Sequence, residues 1–255
     1  MRGGAQSHLM KCDDGEYYVV KFQNNPQHRR VLVNEMLGTR LAARLGLPVP
    51  PVEVVEVRRE LIENTAELVM QVGNSRMPCA AGRQFGSRYP GKPAETAVHD
   101  FLPDEQLDEV ENLAAFAGIY AFDKWTCNTN GRQAIFFRGP GNPRYQAWMI
   151  DQGFCFNAQN WDFPDAPLRG LYARARVYDA VRGMDAFEPW TARMKRIAHD
   201  DTLDEMASRV PAEWYDGDVD ALDALLDRLV RRVSRLPDLI QEARHSYRRP
   251  FRNWT

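Results

Sequence analysis

A single charged residue stands inside an otherwise apolar run near the start of the chain, YYVVKF at residues 17–22. Tyrosine, valine and phenylalanine fit the pleated surface of a sheet, so the run predicts a β-strand. Lys21 interrupts that run. A lysine in such a strand must either extend its ammonium group to water or hold a negative charge, because an unpaired buried charge is costly. The partner of Lys21 therefore constrains both the fold and the function.

The first half of the chain alternates short strands with one helix. Residues 7–12 and 16–22 predict two strands joined at the turn DDG, and residues 52–57, VEVVEV, predict a third. Apolar residues at helical spacing predict a helix over residues 28–45. Residues 73–93 are crowded with glycine, proline and arginine, which predicts a hinge between two lobes.

The second half is predicted to be mostly helical. Residues 104–125 carry a long apolar face, and the runs RQAIFFR and QAWMID flank GPGNPR as an inserted β-hairpin. Further helices are predicted up to residue 247. The pattern predicts an α+β fold with two lobes, a small β-rich N-lobe over residues 1–80 and a larger helical C-lobe over residues 81–255.

Composition narrows the class of protein. A chain of 255 residues that is 44% hydrophobic can bury a packed core, which excludes a disordered protein. A net charge of −2 argues against direct nucleic-acid binding. The four cysteines show no metal-binding spacing and indicate reduced thiols, and no apolar run approaches the roughly 18 residues of a membrane span. We therefore expect a soluble cytoplasmic protein.

Charge is concentrated toward the C-terminus. Residues 201–227 hold nine acidic residues, and residues 228–252 hold eight arginines. The sequence predicts two solvated helix faces that pair with each other. The alternative is a tail that binds a partner protein.

Further features accompany the lysine in a fixed order. RGGAQS supplies small residues before the first strand, where backbone N–H groups can face phosphate oxygens, namely Gly3, Gly4 and Ser7. Glu35 on the predicted helix can pair with Lys21 and hold its ammonium group toward an anion. In WMIDQGF, Asp151 follows an apolar strand, with Gly153 leaving room beside it, and suits a magnesium ion on a nucleotide. This order of elements is that of protein-kinase-like phosphotransferases.

The chain resembles the HipA-like kinases, a bacterial branch related in fold to protein kinases and phosphatidylinositol kinases. The resemblance covers nearly the whole chain and runs through YYVVKF, NEMLGTRLAARLGLPVP, AGRQFGSRYP, FDKWTCNTNGR, MIDQGFCF and VPAEWY. It implies a two-lobed protein-kinase-like fold and transfer of the γ-phosphate of ATP, typically to a serine or threonine hydroxyl. One departure is that the strand leading into the glycine loop is expected to be missing or shortened.

The resemblance also implies roles for individual residues. Lys21 would hold the α- and β-phosphates of ATP, Glu35 would orient Lys21, and Asp151 would bind Mg²⁺. The segment AGRQFGSRYP resembles the family's hinge. The backbone groups of Gln84, Phe85 and Gly86 are therefore expected to meet the adenine edge.

The catalytic loop departs from the family pattern F-D-x-W-x-x-N-x-D-R followed by an asparagine, and two registers are open. In the first, Asp123 and Asn128 of DKWTCN are the catalytic aspartate and the metal-binding asparagine. In the second, Asp123 and Asn128 match earlier positions of the pattern. The catalytic aspartate position then falls on Asn130 and the metal-binding asparagine position on Ile135, with Arg132 one place later than the family's arginine.

We favour the second register because five residues separate Asn128 from the strand that begins near Ala134. In this register the base is replaced by an amide, which can orient a hydroxyl group but cannot accept its proton. Asp123 then lies at the end of the predicted long helix, on or beside its apolar face.

Three functions follow from these features. The first is an ATP-dependent kinase that acts, weakly if its base is lost, on a protein serine or threonine or on another hydroxyl. The second is a nucleotide-binding pseudokinase, and the third is a helical adaptor that binds a partner through its charged C-terminal segments. The expected ligands are ATP, Mg²⁺ and a protein or small-molecule phosphoacceptor. An antitoxin-like protein is a further possible partner, and we expect neither membrane attachment nor direct nucleic-acid binding.

Overall fold

A computed structural model describes residues 4–139 and 141–255, so Gly3 of the expected glycine loop lies outside the described residues. The elements of the first part are, in chain order, β1 (His8–Lys11), β2 (Tyr17–Lys21), α1 (Val31–Arg44), β3 (Val52–Val57), α2 (Arg59–Asn64), β4 (Val69–Val72), β5 (Ser75–Pro78) and β6 (Gly82–Arg88). The predicted strands and the predicted helix of this part are all present, each shortened at its ends except β3, which spans the predicted residues.

The first sheet has four antiparallel strands in the order β1-β2-β6-β3, and β4 pairs with β5 as a separate hairpin. Residues 73–93, expected to contain the hinge between the two lobes, contribute β5 and β6. Strand β6 lies between β2 and β3, with Phe85 opposite both Lys21 and Val54. A Cβ atom at position 86 would lie 2.4 Å from Val55 Cγ2. Glycine is therefore required at Gly86 by close packing within the sheet.

The second part is mainly helical. Its elements are β7 (Val98–His99), α3 (Asp104–Leu107), α4 (Ala115–Trp125), β8 (Gln133–Phe137), β9 (Gln146–Ile150), α5 (Glu188–Ile197), α6 (Thr202–Ala207), α7 (Val219–Arg232) and α8 (Leu236–His245). Strands β7, β8 and β9 form an antiparallel sheet, and its β8–β9 hairpin is the one predicted from the sequence.

The single long helix predicted over residues 104–125 is wrong. It is divided into α3 and α4, because the residues between them bond to the hairpin instead of continuing the helix. Asn112 donates its side-chain amide to the Ala147 carbonyl at 2.8 Å and accepts the Ala147 N–H at 2.9 Å. The Glu111 N–H donates to the Tyr145 carbonyl at 2.9 Å. These contacts fix the hairpin against the start of α4.

Helix α4 is the centre of the larger core, since each of its eleven residues is buried. Helix α7 packs an apolar face beside it, and the Trp125 indole N–H donates to the Leu229 carbonyl at 2.9 Å. Helix α1 belongs to the same core, so one hydrophobic cluster joins the first sheet to the helical part. The end of α4 is thereby held in a fixed position next to β8.

The acidic and arginine-rich segments do not pair with each other as predicted. Among the described residues, one ion pair joins the two segments, Asp227 with Arg231 at 3.9 Å. Acidic residues of the first segment contact the N-terminal part instead, and the clearest case is Glu213, which receives both Nε and Nη2 of Arg83 at 2.6 and 2.5 Å. In the described part of the chain, no helix is long and apolar enough to cross a membrane.

Candidate functional site

A cavity of about 370 Å³ lies between the first sheet and the β8–β9 hairpin. Val19 and Phe85 line it from the first sheet, and Ile135 and Ile150 line it from the hairpin. Lys21, on β2, lines it as well. A largely apolar cavity of this size with a few charged groups is the usual form of a small-molecule site.

The partners of Lys21 are two carboxylates. Its ammonium group forms ion pairs with Glu35 and with Asp151, the latter at 2.8 Å between Nζ and Oδ1, and the residue is 8% exposed. Burial alone would lower the pKa of Lys21, but the two carboxylates outweigh it and raise the pKa above its ordinary value. The lysine is therefore a fixed positive charge that joins β2, α1 and the residue after β9.

Glu35 ties α1 to the chain that follows β9. Its carboxylate accepts the backbone N–H groups of Gln152 and Gly153, each at 3.0 Å, besides the ammonium group of Lys21. A Cβ atom on Gly153 would lie 2.8 Å from Val31 Cγ2 and 3.0 Å from Glu35 Oε1, so a side chain has no room there. Glycine at this position allows the close approach on which the Glu35 contacts depend.

Asp151 follows β9 directly and lies in the left-handed backbone region, with φ of 63°. Aspartate is one of the few residues that adopt this region without a large penalty. Its Oδ1 contacts Lys21, and its Oδ2 accepts the side-chain amide of Gln133 at 2.6 Å. Burial opposes ionisation, but Lys21 outweighs it and holds the pKa of Asp151 below its usual range. The carboxylate is therefore ionised where it faces the cavity.

The catalytic-loop residues separate into two groups. Asp123 and Arg132 form an ion pair with both side chains fully buried, and Asn128 donates its amide to Asp123 Oδ1 at 2.9 Å. Arg132 also donates to the Ile150 carbonyl at 2.7 Å. This contact fixes the end of β9, directly before Asp151. None of these three residues is among those that line the described cavity, whereas Asn130 is.

Three hydrogen bonds hold Asn130 in position. Its N–H donates to Asn128 Oδ1 at 3.0 Å, its side-chain oxygen accepts the Gly131 N–H at 2.9 Å, and its carbonyl accepts the Gly170 N–H at 3.0 Å. Two residues of the favoured register, Asn130 and Ile135, thus line the cavity together with Asp151. The other register places its proposed base in the core.

The three residues expected to meet the adenine edge differ in their position relative to the cavity. Phe85 lines the cavity, but Gln84 and Gly86 are not among its described lining residues. The Gln84 side chain faces the other way, where it accepts the Gln23 N–H at 2.8 Å and donates to the Ala80 carbonyl at 2.9 Å. In the sheet, Gln84 is paired with β3, and Phe85 and Gly86 are paired with both β2 and β3.

The small residues expected to form a glycine loop are close to the site. Gly4 and Ser7 line the cavity. A Cβ atom on Gly4 would lie 2.7 Å from Gln27 Nε2, so this glycine allows a close approach to Gln27, which also lines the cavity.

Sequence reasoning missed Gln133, although the signal for it was present. Strand residues two apart share a face, and Gln133 lies two residues before Ile135 in β8. It also missed four lining residues that come after Phe85 in the chain, Ser87, Arg88, Tyr89 and Pro90. These residues reach the cavity because β6 lies inside the first sheet, and that position depends on pairing with strands distant in sequence.

The oxygen atoms at Asp151 can be compared with what a nucleotide-bound magnesium ion needs. Among residues 4–139 and 141–255, no group of three or more histidine, cysteine or acidic side chains is placed to hold a metal. Mg²⁺ is commonly held by one or two carboxylates together with substrate phosphates, so a full cluster is not required. Asp151 supplies one carboxylate at the cavity, which fits an ion that arrives with a nucleotide.

Comparison with solved structures places the fold. The proinflammatory kinase CtkA of Helicobacter pylori is similar with a TM-score of 0.54 and 14% identity, over 94% of this chain and 93% of that one. HipA of the Shewanella oneidensis MR-1 toxin–antitoxin system, solved with HipB and operator DNA, gives a TM-score of 0.48 at 14% identity, over 96% of this chain and 67% of that one. The first match confirms the predicted two-lobed, kinase-like α+β fold.

Comparison with sequences places the family. A search of curated proteins finds none that matches the chain. The sequence model of the HipA-like kinase family matches residues 1–238, which is most of the chain and includes Lys21, Glu35 and Asp151. The chain therefore belongs to the HipA-like kinase family.

Proposed function

We propose that this protein binds ATP in the cavity between its two sheets and transfers the γ-phosphate slowly to a hydroxyl group. The observation that carries the proposal is the position of Lys21, which contacts both Glu35 and Asp151 at a largely apolar cavity. A buried ammonium group held by two carboxylates is costly to maintain, and its position at a cavity is explained by an anionic ligand.

The cavity has suitable groups for each part of the nucleotide. Val19 and Phe85 on one side and Ile135 and Ile150 on the other supply apolar surface for a planar base. Lys21 would contact the phosphates through charge-assisted hydrogen bonds. Asp151 would hold Mg²⁺, which when bound neutralises charge on the phosphates.

The rate of transfer depends on Asn130. An amide oxygen can orient an acceptor hydroxyl but cannot take its proton, and loss of general-base help costs about 10²–10⁴ in rate. Phosphoryl transfer depends mainly on positioning and electrostatics, so slow turnover is compatible with this residue. Asn130 and Ile135 at the cavity also favour a second candidate, a pseudokinase that binds ATP without turnover.

The first test is nucleotide binding. Mg²⁺–ATP is expected to raise the midpoint of thermal unfolding, and isothermal titration calorimetry gives its affinity. Lys21→Met, which keeps the apolar stem, should lose most of this affinity, while Lys11→Met on the exposed face of β1 should keep it. Circular dichroism of both variants checks folding. Failure of the unchanged protein to bind Mg²⁺–ATP would refute the proposal.

The second test separates the kinase from the pseudokinase. Protein that binds ATP is incubated with γ-labelled ATP and assayed for labelled protein and for released phosphate. Transfer that disappears in Asp151→Asn supports the kinase. Tight binding without any transfer supports the pseudokinase.

The remaining expectations belong to the same proposal. The N-lobe is proposed to extend through β6, beyond residue 80, because β6 is a central strand of the first sheet. A cytoplasmic location, a protein or small-molecule phosphoacceptor and an antitoxin-like partner are proposed from family membership. Direct nucleic-acid binding is not proposed, since the net charge of −2 gives it no electrostatic support.

A further inference from the structure

Both carboxylate oxygens of Asp151 have a partner. Oδ1 accepts the ammonium group of Lys21 at 2.8 Å, and Oδ2 accepts Nε2 of Gln133 at 2.6 Å. A cation that approached Asp151 would therefore meet the amide of Gln133 directly. The affinity of Asp151 for a cation therefore depends on how the Gln133 amide responds when the cation binds.

Strand pairing places the side chain of Gln133 next to Asp151. Gln133 is the first residue of β8 and pairs with Ile150, the residue immediately before Asp151. Ile135, two residues later in the strand, lines the same cavity. Gln133 is exposed and lines the cavity, and its side-chain amide donates to Asp151.

The chemistry of an amide allows two orientations. Its NH₂ end donates to a bare carboxylate, as it does here, and its oxygen end is a neutral hard ligand of the kind that Mg²⁺ accepts. The terminal torsion of glutamine is broad and roughly two-fold, so a half-turn exchanges the two ends at small cost. A divalent cation on Asp151 repels the NH₂ end and attracts the oxygen end.

The expected metal-binding position cannot play this part. In the register that places Asn130 at the cavity, the metal-binding asparagine falls on Ile135, whose side chain has no lone pair. Asn130 itself uses its side-chain oxygen to accept the Gly131 N–H at 2.9 Å. Gln133 is the amide side chain that already contacts Asp151.

We propose that Gln133 is an oxygen ligand of the divalent cation and turns its amide from donor to acceptor when the cation binds to Asp151. The inference rests on the proposed nucleotide site and deepens it. The two departures in the catalytic loop are then not equivalent. The proton acceptor is replaced by an amide, whereas the second metal ligand is supplied from a different position of the same strand.

The test measures Mn²⁺ affinity by electron paramagnetic resonance with a non-hydrolysable ATP analogue present at saturation. Gln133→Leu should weaken Mn²⁺ binding by about 10-fold or more, because even the loss of an outer-shell partner of a metal ligand typically costs about 10-fold to 100-fold. Gln133→Glu should strengthen it, because a charged oxygen replaces a neutral one. Gln146→Leu is the matched control, since Gln146 lies in the same hairpin and donates to Glu111 at 2.5 Å.

The outcomes are distinct. If Gln133 only competes with the cation for Asp151, Gln133→Leu will bind Mn²⁺ more tightly, and the inference is overturned. Equal Mn²⁺ affinity in the unchanged protein and in both Gln133 variants overturns it as well. Affinity for the analogue in EDTA, measured separately, reports on the nucleotide site alone. If the unchanged protein fails to bind the analogue there and with Mn²⁺, the proposed function falls and this inference falls with it.

Discussion

Asp123 and Arg132, nine residues apart in the chain, form an ion pair in which neither side chain has any exposed surface. Gly170, with φ of +76°, packs against Asp123, and a Cβ atom on this glycine would lie 2.5 Å from Asp123 Cβ. The Asp123 carboxylate is engaged with Arg132, and Asp123 is not among the described residues that line the cavity, which argues against a role as the base. The spacing between Asp123 and Asn128 that resembles a catalytic loop therefore serves the core, where Asn128 is a further partner of the carboxylate.

Asp123→Asn is expected to lower the free energy of unfolding by about 3–5 kcal/mol, because it leaves the buried charge of Arg132 without a carboxylate. Urea denaturation measures this loss. ATP affinity of the folded fraction should be unchanged, and Asp223→Asn, an exposed change on α7, should shift stability by less than about 0.5 kcal/mol. Full stability combined with loss of phosphate transfer would instead identify Asp123 as the base.

Asn130→Asp is expected to increase phosphate transfer by as much as about 10²–10⁴, since it supplies a proton acceptor at the cavity. Release of labelled phosphate and labelling of the protein itself are the measurements. Asn74→Asp, in the exposed turn of the β4–β5 hairpin, controls for the added charge. An unchanged rate in Asn130→Asp would show that this position does not face the reacting hydroxyl.

Gly153→Ala is expected to weaken ATP binding, because the added methyl group would lie 3.0 Å from Glu35 Oε1 and 2.8 Å from Val31 Cγ2. Displacing Glu35 releases one of the two carboxylates that hold Lys21. Calorimetry with Mg²⁺–ATP measures the effect, and Gly139→Ala is the control, since no described residue other than its chain neighbours comes within 4 Å of the added Cβ atom. Equal affinity in both variants would mean that Glu35 does not position Lys21 for the nucleotide.

Lys124 gives the protein a specific dependence on pH. It is buried and donates to the carbonyls of Ala166, at 2.8 Å, Pro167, at 3.1 Å, and Arg169, and burial lowers its pKa to about 8. Below that pH both the folded and the unfolded chain hold the proton. Between about pH 8 and the ordinary value of 10.5 only the unfolded chain holds it, so this group makes the protein more stable as pH rises.

The test compares the unchanged protein with Lys124→Met at about pH 7, pH 8.5 and pH 10, using urea denaturation at each pH. The difference in their free energies of unfolding should grow in favour of the unchanged protein by up to about 1.4 kcal/mol per pH unit above pH 8. Lys195→Met, exposed on α5, should give a difference that does not change with pH. A constant difference for Lys124→Met would contradict the lowered pKa.

The sequence predicted the residues whose chemistry is unusual for their place in the chain. Lys21 inside an apolar strand and Asp151 after one were visible from residue type alone, and the structure brings them to 2.8 Å. Glu35 was proposed as the partner of Lys21, and the contact is present, although its two backbone N–H contacts could not be foreseen.

Residues that depend on distant pairing were not predictable in the same way. The run GRQFGSR contains glycines that indicate a hinge, but β2 and β3 lie on either side of it and make it a central strand. Asp123 fits a catalytic spacing, and the observation that argues against that role, its burial against Arg132, is not visible in the sequence. Local sequence patterns contain no information about which strand or side chain arrives from elsewhere.

The cavity carries equal numbers of positive and negative side chains among its described lining residues, Lys21 and Arg88 against Glu35 and Asp151. A nucleotide that entered alone would add several negative charges to a cleft that has no positive excess to receive them. We therefore expect cation and nucleotide to bind as a thermodynamically linked pair, in which each raises the affinity for the other by the same factor. The concentration of free divalent cation would then set how much of the protein is loaded, even when ATP is abundant.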